Sequence, residues 1–170
     1  MVKECMDEYK TIQLSRGKQT IVDAEDFGWL SKWKWYCDNR DYAQRDVVIS
    51  QKSPRIVKKI PMHKEIMKVS GGREIIVDHK NRDRLDNRKQ NLRLCTMQQN
   101  VMNVPIYKNK KSSRYKGVFR GKDSKKYKVM IGFNGKLIHI GVFESEMDGA
   151  KAYNEAALKY FGEFASLNEL

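Results

Sequence analysis

Cysteine is scarce in this 170-residue chain, which holds only Cys5, Cys37 and Cys95. Their number is odd and no pair has C-x-x-C spacing, which argues against a disulfide framework or a structural zinc site. Reduced thiols in a reducing, cytoplasmic compartment are the expectation. Long apolar runs are also missing. No stretch approaches the roughly 18 residues of a membrane span, and no signal-type segment opens the sequence, so no membrane partner is expected. Internal repeats and low-complexity tracts are absent as well. Acidic side chains are in deficit, 21 Asp and Glu against 34 Lys and Arg, for a net charge of +13. A surplus of that size points to a polyanionic partner, chiefly nucleic acid.

The surplus is unevenly spread. Residues 1–103 carry +7, residues 104–111 carry +3 from Lys108, Lys110 and Lys111 with no acid, and residues 112–170 carry +3. The short middle segment reads as a basic linker between two small domains, suited to crossing a phosphate backbone. Before it, strands are expected over 9–14 and 19–22, with a helix from Ala24 to Trp33 capped by Asp23. Strands are expected over 33–37, 42–49 and 56–60, with a turn at Ser53-Pro54, and a helix over 62–69 ended by Gly71-Gly72. The tryptophans at 29, 33 and 35 are read as the core of this first half. After the linker, strands over 115–120, 127–133 and 136–140 with an Asn134-Gly135 hairpin precede an amphipathic helix over 145–161.

The block between these halves carries the chemistry. Glu74 to His79 is a β-branched strand ending in Asp78 and His79, followed by a polar loop over 80–91 and a second strand over Leu92–Cys95. Thr96 then caps a helix that runs to Asn103 and is ended by Pro105. Adjacent residues of a strand point to opposite sides, so Asp78 can reach a metal while His79 faces a phosphate. Asn100 falls about one turn into the helix, where a second ligand is needed. Two hard oxygen donors suit Mg²⁺ or Mn²⁺. Neutral His79 can take a proton from water near pH 7.

Val77-Asp78-His79, Asn91-Leu92-Arg93 and Gln99-Asn100, with Asn91 and Asn100 at +12 and +21 from His79, resemble the HNH nucleases, in the Asn variant found among phage and intron-encoded homing endonucleases. The resemblance covers roughly residues 8–103. It implies a ββα-metal (His-Me finger) domain in which His79 is the general base and Asn91 fixes the loop and orients the histidine. Asp78 and Asn100 are the metal ligands it implies, for one ion per active site that stabilises the charge developing at phosphorus. It also implies 5′-phosphate and 3′-hydroxyl products. Pro61-Met62-His63-Lys64 is similar to the His-containing helix ahead of the motif in that subgroup, and His63 is read as a structural or DNA-backbone contact rather than a second base.

The second half, from Tyr115-Lys116-Gly117-Val118 through Tyr127-Lys128-Val129 and Ile138 to Phe143 to the Ala-rich helix and Phe161 to Asn168, resembles the ethylene-response-factor (Apetala-type) DNA-binding domain over about residues 112–168. That implies a three-stranded antiparallel sheet laid in the major groove and backed by one helix. Arg114, Lys116, Arg120, Lys122, Lys126, Lys128 and His139 are the candidate DNA contacts, on an outer face expected to be rich in cations. Phe119 and Gly132 stand where plant members often have arginine, so no target sequence is implied. The whole reads as an α+β nuclease: a catalytic domain over 1–103, a linker over 104–111 and a DNA-binding domain over 112–170. A monomeric homing endonuclease that nicks one strand of duplex DNA in a bacterial or phage-infected cell is expected. A DNA-binding regulator with a vestigial nuclease half, or a restriction or defence nuclease, are the alternatives.

Overall fold

The computed structural model describes residues 8–52, 54–70, 74–104, 112–121 and 124–170. The expected stops at Gly71-Gly72 and Pro105, the three linker lysines, Ser53 of the first turn, Cys5 and Lys122 lie outside these. The chain divides into two compact units, Met1–Met97 and Gln98–Leu170, so the division falls a few residues ahead of the expected boundary at 103.

In the first unit, β1 (Tyr9–Gln13) and β2 (Gln19–Asp23) form an antiparallel hairpin in which Ile12 and Val22 turn inward. α1 (Ala24–Leu30) follows directly. Asp23 stands at its N-cap but makes no side-chain cap hydrogen bond. Its carboxylate instead accepts from the Lys89 amide at 2.7 Å, so the expected cap serves as a tether to a distant loop. β3 (Tyr36–Cys37), β4 (Ala43–Ser50) and β5 (Ile56–Pro61) make a three-stranded antiparallel sheet in chain order. α2 (Met62–Ile66) then leads to the hairpin of β6 (Ile75–His79) and β7 (Leu92–Thr96).

One apolar core joins these elements through Ile12, Leu14, Val22, Leu30, Trp35, Met62, Ile66, Val77 and Leu92. Trp35 is buried and its Nε1 donates to the Leu30 carbonyl at 2.8 Å, which satisfies the indole where water is excluded. Trp29 packs at the edge of this core. Trp33 was expected inside but is 50% exposed. The Arg45 guanidinium lies 4.2 Å from the centre of its ring, so a cation covers the face that apolar neighbours were expected to fill.

In the second unit, β8 (Val118–Arg120), β9 (Tyr127–Phe133) and β10 (Lys136–Phe143) form an antiparallel sheet with β9 in the centre. Asn134 and Gly135 both take positive φ, 50° and 72°, as a two-residue hairpin turn of matching twist demands. α4 (Glu146–Phe161) packs on all three strands. Ser145 caps it, with its hydroxyl accepting from the amides of Met147 and Asp148. Ala150, Tyr153, Ala157 and Phe161 are buried on its inner face, while Met147 at the first turn is exposed. Gly117 allows the close approach: its φ is +76°, and a Cβ there would stand 2.0 Å from the Tyr153 ring. α3 (Met97–Met102) begins at the division between the units. Its Met102 packs against the core of the second unit, and Gln98 Nε2 donates to Asn134 Oδ1 at 2.8 Å.

Candidate active site

β6 ends in Asp78 and His79, both buried, because β7 pairs with it to the last residue. The register sets Asp78 opposite Arg93 and His79 opposite Leu92. Arg93 donates to Asp78 Oδ2 from Nε at 3.0 Å and from Nη2 at 2.8 Å, a buried ion pair across the hairpin. In the sequence Arg93 stands within Asn91-Leu92-Arg93 with no role of its own. Only the register reveals it as the partner of the carboxylate.

The loop over 80–91 is stitched rather than loose. The Arg82 amide bonds back to the His79 carbonyl at 3.0 Å, with Arg82 at φ 67°. Asn91 joins the two ends of the loop: its Oδ1 accepts from the Asn81 amide at 3.0 Å and its Nδ2 donates to the Asp86 carbonyl at 2.7 Å. Asp86 pairs with Arg88 at 2.8 Å, which holds its carboxyl below the usual range. The loop also pairs in parallel with β2, through the Ile21 amide on the Leu85 carbonyl and the Asn87 amide on the Ile21 carbonyl, both at 2.8 Å.

Asn91 therefore bonds across the loop, and the side chain that meets the histidine is Asn87. His79 Nε2 lies 3.3 Å from Asn87 Oδ1. Asn87 Nδ2 donates to Thr20 Oγ1 at 2.7 Å and reaches the Arg84 carbonyl at 3.4 Å, and the Thr20 hydroxyl donates to the Leu85 carbonyl at 2.7 Å. Thr20 and Asn87 are both fully buried. The sequence held a signal for Asn87 only in that three asparagines (81, 87 and 91) share one loop.

His63 of α2 completes the surroundings. Its ring meets the His79 ring nearly edge-on, with centroids 5.2 Å apart, and Tyr42 packs against both, 5.2 Å from His63 and 6.0 Å from His79. His63 is buried and its Nδ1 has no hydrogen-bond partner among the described residues. Burial, aided by the neighbouring His79, pushes its pKa down to about 3. A group so enclosed is placed against the candidate base rather than on a DNA-facing surface. Burial also lowers the pKa of His79, an effect partly offset by its bond to Asn87 and by the charge of Asp78.

Asn100 lies half-buried in α3, in the second unit. The candidate DNA contacts fall in several settings. Arg114 is exposed and lies over the Tyr115 ring. Lys116 is half-buried, and its Nζ donates to the carbonyls of Met102 and Val104 at 3.0 and 2.6 Å, beside the C-terminal end of α3. Arg120 is exposed and bonds the Ser124 carbonyl. Lys126 pairs with Glu144 at 2.7 Å. Lys128 and His139 are exposed on the sheet face away from α4. That face also carries Phe119 and Val142 beside Lys128, Met130 opposite His139, and Leu137. Among the described residues it is thus a mixed apolar and cationic surface.

A buried carboxylate thus stands next to a buried histidine at the end of a hairpin whose loop is tied at both ends. Residues 72–102 match the family profile described as HNH endonuclease. A protein of Acanthamoeba polyphaga mimivirus, described as an uncharacterized HNH endonuclease, is 32% identical over 159 residues, spanning 92% of this chain and 79% of that one. The chain belongs to the HNH endonuclease family and is a nuclease that hydrolyses phosphodiester bonds. HNH nucleases generally use a divalent metal.

Proposed function

We propose that this protein is a metal-dependent DNA endonuclease of the homing type that nicks one strand of a specific duplex site. The observation that carries the reading is the buried Asp78–His79 pair, with His79 neutral and held through Nε2. His79 takes a proton from water as the oxygen attacks phosphorus in line, and the 3′ oxygen departs. Asn91 keeps the loop closed around the histidine, while Asn87 holds the ring. The donor chemistry of the first unit fits a hard divalent cation such as Mg²⁺ or Mn²⁺, which Asp78 would hold through a carboxylate that Arg93 keeps in place. When bound, such an ion supplies stabilisation of negative charge on the phosphate and leaving oxygen.

The C-terminal sheet and helix serve as the DNA reader in this reading, in the manner of the ethylene-response-factor domain they resemble. Lys128, His139 and the flanking Arg114 and Arg120 are the leading contacts. The net charge of +13 favours association with phosphate throughout. A single Asp-His pair per chain favours strand-specific nicking by a monomer.

His79→Ala decides the catalytic part. With a supercoiled plasmid and Mg²⁺, the wild type yields the nicked circle and EDTA stops it, while the variant loses cleavage but still retards duplex DNA in a gel. Cleavage by the variant within about tenfold of wild type contradicts the assignment of the base, since general-base catalysis contributes about a hundredfold or more. End-labelling each strand of a cleaved duplex tests the strand preference in the same preparation.

A further inference from the structure

We propose that Thr20 and Asn87 are positioning residues for the hydrolysis: together they hold the His79 ring in the tautomer that carries its proton on Nε2 and its lone pair on Nδ1. The inference rests on the reading of His79 as the base, and it assigns that base a particular atom.

The argument starts at a backbone carbonyl. Leu85 O can only accept, and at 2.7 Å it outcompetes the Met62 sulfur, a weak acceptor at 4.0 Å, for the Thr20 hydroxyl proton. Thr20 Oγ1 must then accept from its other neighbour, the Asn87 side chain at 2.7 Å. That end of the amide is therefore Nδ2, which also lies 3.4 Å from the Arg84 carbonyl, a far weaker contact than the one to Thr20. With Nδ2 so placed, Oδ1 faces His79 Nε2 at 3.3 Å. An amide oxygen only accepts, so Nε2 must donate. In a neutral imidazole the proton on one nitrogen leaves the lone pair on the other.

The chain of bonds is protected from rearrangement. Thr20 and Asn87 are 0% and 1% exposed, so water does not replace a lost partner. The carbonyl at the start is itself fixed, because the Ile21 amide donates to it and the Asn87 amide donates to Ile21 in turn. β2 thus acts as a template that sets the proton position on a histidine 59 residues further along the chain. An inverted Asn87 amide would set a donor against Nε2, favour the proton on Nδ1 and leave no lone pair there.

Thr20→Val removes the hydroxyl at nearly constant shape and Thr20→Ser restores it. Full-length protein labelled with ¹⁵N in histidine, with the His79 signals assigned by a His79→Gln sample, reports the tautomer directly near neutral pH. Expected is an Nε2-protonated His79 in the wild type and the Ser variant. In the Val variant that state is lost or mixed, with kcat for plasmid nicking about tenfold or more below wild type and KM changed little. Asn87→Asp presents an acceptor to Nε2 whichever way it turns, and keeps the Nε2 proton. An Nδ1-protonated ring in the wild type, or a Val variant with unchanged tautomer and kcat, overturns the proposal. The tautomer readout needs no cleavage, so it is independent of whether His79→Ala abolishes activity. Failure of the base assignment and failure of the tautomer assignment therefore give different results.

Discussion

Acid should weaken the first unit through His63, at pH values where carboxylates are still largely ionised. The buried ring has its pKa pushed down to about 3, against 6.5 in the unfolded chain. Between those values the unfolded state binds a proton that the folded state refuses, so stability is intact above about pH 6.5 and falls as pH drops toward about 3. At roughly 1.36 kcal/mol per unit of difference, the loss is about 1.4 kcal/mol at about pH 5.5 and about 2.7 kcal/mol at about pH 4.5. His79 is shifted in the same direction and adds to the loss. Asp86 also loses stability with acid, but its folded pKa lies below 3.8, so its share falls lower in the range. All three tryptophans, at 29, 33 and 35, belong to the first unit, so their emission during urea unfolding follows that unit and not the other. His63→Phe keeps a ring against Tyr42 and removes the titrating group. Unfolding free energies from about pH 7.5 to 4.5 should fall more steeply for the wild type than for the variant. Parallel curves would refute the claim that His63 is held neutral by burial.

Two further substitutions test the packing on which the site and its neighbour unit depend. Arg93→Ala leaves the Asp78 carboxylate buried without its guanidinium, and should cost about 3–5 kcal/mol in the same urea experiment. A loss under about 1 kcal/mol would mean that the pair does not hold the hairpin. Gly117→Ala places a Cβ against the Tyr153 ring at a positive φ, and should lower the second unit's melting temperature in calorimetry while leaving the tryptophan transition in place.

The features legible in the sequence are those set within a few residues. The β-branched run before Asp78-His79 announces a strand, and Asn134-Gly135 announces its turn, because φ above zero at two successive positions leaves few alternatives. The helix over Glu146–Phe161 follows from an apolar stripe, although Ser145, read as its first residue, is its cap. The spacing of Asn91 and Asn100 from His79 is equally local information. Trp33 and Trp35 show where this stops. Alternation in the strand puts both on one side, but β3 begins only at Tyr36, and Trp33 lies outside it under the Arg45 guanidinium.

The site divides along the same line. The sequence by itself determined which residue types are at hand: one Asp-His pair, a loop of asparagines and a helix after it. Which asparagine holds the histidine was decided only in three dimensions. Asn81, Asn87 and Asn91 are chemically identical, and each can satisfy a turn. They are told apart by partners that sequence spacing does not reveal: Thr20 lies 67 residues from Asn87. Arg93 was likewise selected by strand register, and Lys116 was drawn to the carbonyls of Met102 and Val104 and not left on the sheet surface. Periodicity and spacing report on bonds made along the chain. A buried polar group must instead find whichever partner the packing brings within about 3 Å, and that depends on the fold as a whole.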